Sequence, residues 1–231
     1  MKNIWIFGDS ILRGVVWSNE RNRYITTTEI GFAEMEQAFG VSLHNRSRFG
    51  TTLCKGVEHL FSVLKRGECC DVAILEYGGN DSDFNWKEIA ASPESEHYSK
   101  TSLVDFCSSY RSALQTLKNQ GILPVVCTLV PVCGGRYLNW VSKNDGDKES
   151  ILRWLGTEEA ICRYQEQYSR SVEAVAREEG CPQIDLRAAF LSVRHMEDYF
   201  CEDGIHPNEK GQRLLRATLE RALSSLLPKV S

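Results

Sequence analysis

Short apolar runs alternate along this chain with longer stretches in which apolar residues recur every three or four positions. The runs are nearly continuous in apolar character, which is typical of strands buried on both faces of a sheet. The predicted strands are Asn3 to Phe7, Val41 to Asn45, Val72 to Tyr77, Pro124 to Val130 and Gln183 to Leu186.

The longer stretches predict amphipathic helices between these strands. Apolar residues from Ile161 to Val175 follow helical spacing and stop before Gly180, a residue type that commonly ends helices. Similar patterns predict helices over Gly31 to Phe39, Leu103 to Lys118 and Glu209 to Leu227. The alternation predicts an α/β fold with five parallel strands between two layers of helices.

Two segments are longer than the usual connections in such a fold, namely Asp83 to Lys100 and Cys133 to Thr157. We interpret both as insertions in a single domain spanning residues 1–231, because the chain has no repeat and no linker-like stretch. Long insertions often act as lids or binding loops, so we expect them to contact the substrate.

Composition narrows the classes of partner. The net charge of -4 argues against binding to a nucleic acid backbone, which requires a concentrated excess of Lys and Arg. No stretch is long and apolar enough for a membrane span, and no export signal is visible near the start. The nine cysteines are scattered, which fits reduced thiols and a cytoplasmic location.

Polar motifs follow three of the predicted strands, at the edge where open parallel sheets place their binding crevice. Gly8-Asp9-Ser10 follows the first strand and presents a hydroxyl beside a helix that we expect to begin at Ile11-Leu12. Gly50, after the second strand, lets the main chain approach a ligand closely. Asn80, in Gly-Gly-Asn-Asp after the third strand, offers two amide donors.

The remaining chemistry lies late in the chain, in Asp203-Gly204-Ile205-His206-Pro207. A carboxylate and an imidazole three residues apart can share one side of a turn, so Asp203 can orient His206 towards Ser10. Each motif alone is common turn chemistry. Their joint occurrence, in order and each at a predicted strand end or loop, favours a catalytic site.

With these motifs, nearly the whole chain resembles the SGNH hydrolases, also called GDSL-type esterases and lipases. The resemblance implies a flavodoxin-like three-layer fold, with Ser10 as nucleophile and with His206 and Asp203 as its partners. It also implies an oxyanion hole formed by the backbone N–H groups of Ser10 and Gly50 and the side chain of Asn80. Ile11 replaces the leucine of the family's name.

Several other residues are assigned structural roles. Asp9 and Asp81 are expected to brace their own turns by bonding nearby backbone N–H groups. The other histidines show no ligand spacing, so no metal and no cofactor is predicted; they are His44, His59, His97 and His195.

Aromatic residues in or beside the expected crevice loops suggest a substrate-binding wall; they are Trp17, Trp86, Tyr137 and Trp140. Exposed aromatics among polar neighbours favour a short acyl ester, acetyl in the first place, on a carbohydrate or another small polar molecule. The alternatives are a thioesterase or lysophospholipase acting on longer acyl chains, and a non-catalytic carbohydrate-binding protein on the same fold. The oligomeric state is open.

Overall fold

The computed structural model describes residues 1–227. Its strands are β1 (Asn3–Gly8), β2 (Val15–Ser18), β3 (Arg23–Thr26), β4 (Ser42–Asn45), β5 (Val72–Glu76), β6 (Leu123–Cys127) and β7 (Gln183–Ile184). Five of them form one sheet in the order β4-β1-β5-β6-β7, and every neighbouring pair is parallel. The predicted five-stranded parallel sheet is therefore confirmed, although the last strand is only two residues long.

The helices are α1 (Phe32–Phe39), α2 (Leu53–Lys65), α3 (Trp86–Ala91), α4 (Leu103–Asn119), α5 (Gly134–Asn144), α6 (Lys148–Leu155), α7 (Glu159–Glu178), α8 (Leu186–Leu191) and α9 (Glu209–Leu226). Apolar side chains of α2, α4 and α7 form one core cluster with the sheet. Those of α1, α8 and α9 form a second cluster with it. The sheet therefore lies between two helical layers, as predicted.

Strand β1 shows why its sequence specifies a central position. Trp5 and Phe7 belong to the first core cluster, whereas Ile4 and Ile6 belong to the second. Side chains alternate between the two faces of a strand, so an uninterrupted apolar run fills both cores. Each of these four side chains is at most 2% exposed, and full burial of such a side chain contributes about 1.5–3 kcal/mol.

The segment after Ser10 differs from the prediction. No helix begins at Ile11-Leu12; a single turn, with the Arg13 N–H donating to the Asp9 carbonyl over 3.1 Å, leads directly into β2. Strands β2 and β3 form an antiparallel hairpin that the sequence pattern did not predict. The expectation of a helix N-terminus behind the Ser10 N–H was therefore wrong.

Other boundaries also shift. The third and fourth central strands end at Glu76 and Cys127, before the predicted ends. Leu186 begins α8 and does not belong to β7. Helix α2 was not predicted, although its apolar residues follow helical spacing.

The two long connections contain helices that pack on each other. The segment from Asp83 includes α3, and the segment from Cys133 includes α5 and α6. Buried residues such as Ile89, Leu138 and Ile151 join these helices in a third apolar cluster. The segments therefore form one packed layer over the carboxyl edge of the sheet. Within residues 1–227, no helix combines the length and apolar character needed to cross a lipid bilayer.

Candidate active site

The predicted motifs meet at the carboxyl edge of the sheet. Ser10 lies two residues beyond β1, Gly50 lies in the loop after β4, and Asn80 lies in the loop after β5. The turn with Asp203 and His206 comes just before α9. Parallel strands bring their carboxyl ends together, so Ser10 and His206, which are 196 positions apart, line one cavity.

Ser10, His206 and Asp203 form a continuous hydrogen-bonded series. Nε2 of His206 lies 2.8 Å from Oγ of Ser10, and its Nδ1 lies 2.6 Å from Oδ2 of Asp203. All three residues are buried, and Asp203 has no exposed surface. In this geometry a neutral imidazole that donates from Nδ1 presents the Nε2 lone pair to the serine hydroxyl.

The turn from Asp203 to His206 supplies its own support. Oδ1 of Asp203 accepts hydrogen bonds from the N–H groups of Ile205 and His206, each over 3.0 Å. Burial alone would raise the pKa of the Asp203 carboxyl, but the hydrogen bond and charge of His206 and these two backbone donors lower it below its usual value. Asp203 is therefore an anion that holds the imidazole.

Gly204 is required in this turn. Its φ of 75° lies in the left-handed region, and a Cβ at this position would lie 2.7 Å from the Cβ of Arg136 and 2.7 Å from the carbonyl oxygen of Cys133. The Cys133 N–H also donates to the Gly204 carbonyl over 2.8 Å. The start of α5 is thereby packed directly against the turn.

Two residues of the cavity lining, Ser10 and Gly50, have backbone N–H groups without protein acceptors among the described residues. Within residues 1–227, the N–H groups of Ser10 and Gly50 donate to no protein group. Gly50 has a φ of 65°, a conformation that favours glycine, while a Cβ there would meet no atom within 4 Å. Backbone conformation, and not crowding, therefore explains the glycine.

The side chain of Asn80 is held by neighbours. Its Nδ2 donates to Oδ2 of Asp9 over 3.0 Å and to the carbonyl of Thr51 over 3.3 Å. The longer contact is the weaker of the two. A ligand oxygen beside Ser10 could replace the Thr51 carbonyl as hydrogen-bond acceptor while Asp9 keeps the amide in place.

The Asp9 carboxylate that accepts the Asn80 amide belongs to a pair of buried carboxyl groups, the other being that of Glu76. The carboxyl groups of Asp9 and Glu76 are neighbours, and the two residues are 2% and 1% exposed. Burial raises the pKa of both groups, and the neighbouring Asp9 charge raises that of Glu76 further. Asp9 also accepts the Ile11 N–H and the Asn80 amide, which stabilise its anion, so Glu76 is the member of the pair that stays protonated.

The predicted turn-bracing roles hold for only one of the two aspartates. Asp9 does accept the N–H of Ile11, two residues ahead, over 2.9 Å. Asp81 instead accepts the N–H of Leu53 at the start of α2 and the hydroxyl of Thr101. It connects three distant segments, and burial raises its pKa to about 6.

The cavity beside Ser10 has a volume of about 250 Å³. Part of its lining consists of buried apolar residues of the loop after β6, of α7 and of the loop before α3. These residues are Phe84, Leu129, Val130 and Ile161. Among the described residues that line it, none is a lysine or an arginine, while Asp9, Glu76, Asp83 and Asp145 are acidic. The cavity is therefore suited to neutral, largely apolar groups.

Two of the predicted wall residues form a polar bridge between the long connections. Nε1 of Trp86 and the hydroxyl of Tyr137 both donate to Oδ1 of Asp83, over 2.9 and 2.8 Å. Oδ2 of Asp83 accepts from Lys100 over 2.7 Å. Trp86 and Tyr137 both line the cavity. Their polar atoms are engaged with Asp83, so they present ring surface to the cavity.

The other two predicted wall residues, Trp17 and Trp140, are half-buried. Trp140 lines it, whereas Trp17 packs behind it, with ring centroids 4.8 Å from Trp140 and 5.0 Å from Tyr24. Tyr24 and Phe49 were not predicted, although both line the cavity. The β-branched and aromatic runs Val15 to Trp17 and Tyr24 to Thr28, separated by a polar stretch, are a hairpin signal that could have drawn attention to Tyr24.

Phe49 lies parallel to the His206 ring, with an interplanar angle of 7° and centroids 6.0 Å apart. Its side chain is 56% exposed although it belongs to the cavity lining. No sequence signal distinguishes it from other loop residues beside a glycine. Its position depends on how the loop after β4 meets the turn before α9.

Comparisons with known proteins agree with this architecture. The model of the GDSL-like Lipase/Acylhydrolase family matches residues 6–214. No curated protein matches the chain significantly.

Solved structures share the fold at low sequence identity. A lipase/acylhydrolase from Enterococcus faecalis superposes with a TM-score of 0.67 at 18% identity, covering 100% of both chains. An acetylxylan esterase from Geobacillus stearothermophilus gives a TM-score of 0.65 at 18% identity, covering 96% of this chain and 94% of its own. A GDSL-like lipase from Bacteroides thetaiotaomicron gives 0.64 at 14% identity, covering 98% and 89%.

Proposed function

The chain belongs to the GDSL-like lipase/acylhydrolase family of ester-hydrolysing serine hydrolases, and we propose that it cleaves carboxylic esters through Ser10, His206 and Asp203. The observation that carries this proposal is the 2.8 Å contact between Nε2 of His206 and Oγ of Ser10, at the edge of a cavity. A nucleophile within hydrogen-bond reach of an oriented base is the arrangement that acyl transfer requires.

The reaction proceeds in two steps. His206 takes the proton of Ser10 as the oxygen attacks the ester carbonyl, and it then gives that proton to the leaving alcohol. Water attacks the resulting acyl-enzyme with His206 again as base, which releases the acid and restores the serine. Asp203 keeps the imidazole in the required tautomer and stabilises its positive form.

The negative charge that develops on the carbonyl oxygen needs donors. The N–H groups of Ser10 and Gly50 have no protein acceptor among the described residues, and Asn80 lines the same cavity as these two residues. We assign these three donors to the oxyanion. Such preorganised donors usually supply the largest electrostatic contribution to acyl transfer.

The substrate that the cavity favours is a neutral ester with a short acyl group, on a carbohydrate or a similar small molecule. Without lysine or arginine in the described lining, a phosphorylated headgroup would find no counter-charge. The rings of Phe49 and Trp140 offer flat surfaces for the alcohol portion.

A second candidate is an ester or thioester with a longer acyl chain. It is favoured by the buried aliphatic lining of Leu129, Val130 and Ile161, which an acetyl group would fill only in part. Activity on acetyl, butyryl and octanoyl nitrophenyl esters separates the two. We expect the highest kcat/KM with acetyl or butyryl, and a steep preference for octanoyl would favour the second candidate.

The catalytic assignment is tested by labelling and mutation. A fluorophosphonate probe should label the wild type but not Ser10→Ala, which should lose essentially all esterase activity. Ser225→Ala is a suitable control, because it removes a serine hydroxyl from the exposed side of α9. Absence of labelling in the folded wild type would support a non-catalytic carbohydrate-binding protein on this fold.

A further inference from the structure

The hydroxyl of Tyr24 donates a hydrogen bond to Oδ2 of Asp203 over 2.9 Å. The same oxygen accepts Nδ1 of His206 over 2.6 Å, and the rings of Tyr24 and His206 have centroids 4.9 Å apart. Tyr24 stands on β3, in the hairpin that replaces the expected helix after Ser10. The hairpin thus reaches the side of the carboxylate on which the imidazole is held.

Further contacts hold the β2–β3 hairpin against the residues that precede Asp203. The Trp17 N–H donates to Sγ of Cys201 over 3.3 Å, and the Asn19 amide donates to Glu202 over 3.0 Å. Trp17 also packs edge-on against the Tyr24 ring. The contact between Tyr24 and Asp203 therefore belongs to a docked element and not to an isolated side chain.

We propose that Tyr24 is a positioning residue for ester hydrolysis, which holds the Asp203 carboxylate and moderates its attraction for His206. The proposal rests on the assignment of Ser10, His206 and Asp203 made above. It adds a fourth side chain to that series, contributed by the β2–β3 hairpin.

The hydrogen bonds of Asp203 explain how this works. Oδ1 accepts two backbone N–H groups, while Oδ2 is shared between His206 and Tyr24. A second donor on Oδ2 withdraws charge from it, so the carboxylate attracts the imidazolium less strongly. Loss of the Tyr24 hydroxyl should therefore strengthen the attraction of the Asp203 carboxylate for a positively charged partner and move the acid limb of the activity profile to higher pH.

The other titratable groups around Asp203 are not expected to cause the pH shift that we assign to Tyr24. Burial and the Asp203 charge raise the pKa of Tyr24 above its usual value, so it remains a donor. Burial, and to a smaller extent the Asp203 charge, raises the pKa of the Cys201 thiol to about 11 and that of the Cys133 thiol to about 12. Both thiols therefore stay neutral. The Asp9 charge also acts on His206. Asp9 is held by hydrogen bonds from the Asn80 amide and the Ile11 N–H, so its charge is common to the wild type and Tyr24→Phe.

The test compares Tyr24→Phe, which keeps the ring, with the wild type and with Tyr98→Phe. Tyr98 is a matched control, because its hydroxyl also donates to a carboxylate, that of Glu96, but its side chain is 78% exposed and outside the cavity. The rate of acetate release from phenyl acetate is measured from pH 5 to 9, and kcat and KM are obtained at each pH.

We expect the acid limb of the kcat/KM profile to move to higher pH by about 0.5–1 unit in Tyr24→Phe. The value of kcat should fall more than KM changes, and Tyr98→Phe should match the wild type. In an Asp203→Asn background, the same Tyr24 substitution should leave the residual profile unchanged. Superimposable profiles for Tyr24→Phe and the wild type, or a limb that moves to lower pH, would overturn the proposal.

Two further measurements separate the possible failures. The downfield proton resonance of the His206 to Asp203 hydrogen bond should shift in Tyr24→Phe if the hydroxyl acts on Oδ2, and an unshifted resonance counts against the proposal. Retention of esterase activity by Ser10→Ala would instead disprove the catalytic assignment itself. A thermal melt checks that each variant is folded.

Discussion

Nδ2 of Asn80 lies 3.0 Å from Oδ2 of Asp9, the residue immediately before the candidate nucleophile. The contact connects the loop after β5 to the loop after β1, and it leaves the second amide proton on the weaker contact with Thr51. The donor that we assign to the oxyanion is therefore held by a buried carboxylate.

Replacement of Asn80 by alanine should leave the fold intact and slow the reaction. Loss of one oxyanion donor typically lowers kcat by about 10²–10³. Steady-state kinetics on an activated acetyl ester, with a thermal melt to confirm folding, provides the measurement. Wild-type turnover in Asn80→Ala would remove this side chain from the oxyanion hole.

Glu76 should make the folded state less stable as the pH rises. Burial raises its pKa in the folded protein well above 4.5, so the unfolded chain releases its proton first and stability falls from about pH 4.5 upward. Gln cannot ionise and still offers a donor to Asp9. The melting temperature of Glu76→Gln should therefore exceed that of the wild type by a margin that grows with pH above 4.5.

The difference in free energy of unfolding between Glu76→Gln and the wild type can grow by at most about 1.4 kcal/mol per pH unit, because one proton is involved. Glu76→Ala is the control, because it removes both the ionisation and the donor to Asp9 and should be less stable than Glu76→Gln at every pH. A difference between Glu76→Gln and the wild type that is constant from pH 4 to 8 would contradict a protonated Glu76 in the folded state.

Gly204→Ala should lower both stability and kcat. Left-handed backbone alone costs an alanine about 1–2 kcal/mol, and here the added Cβ would also strike Arg136 and Cys133. Gly40→Ala is a matched control, because Gly40 has a φ of 61° but a Cβ there would meet nothing within 4 Å. It should show the backbone cost with normal kcat, and equal effects of both substitutions on kcat would contradict the role of packing against α5.

The layered fold was predictable because its signals are local. The apolar runs of β1 and β5 and the helical spacing of α7 and α9 each lie within one element. The Gly-Asp-Ser, Gly-Gly-Asn-Asp and Asp-Gly-Ile-His motifs have fixed spacing, and the family resemblance that they indicated is confirmed. The helix expected after Ser10 failed because β-branched and aromatic residues from Val15 onward favour a strand.

By itself, the sequence determined the parallel sheet, its two helical layers and the family, since periodicity and short motifs survive without knowledge of distant contacts. Only the tertiary structure decided which groups complete the site: Tyr24 meets Asp203 across 179 positions, and Glu76 meets Asp9 across the β1–β5 pairing. Such contacts depend on how separate loops pack, and a carboxylate or a phenol carries no local pattern that reveals its partner.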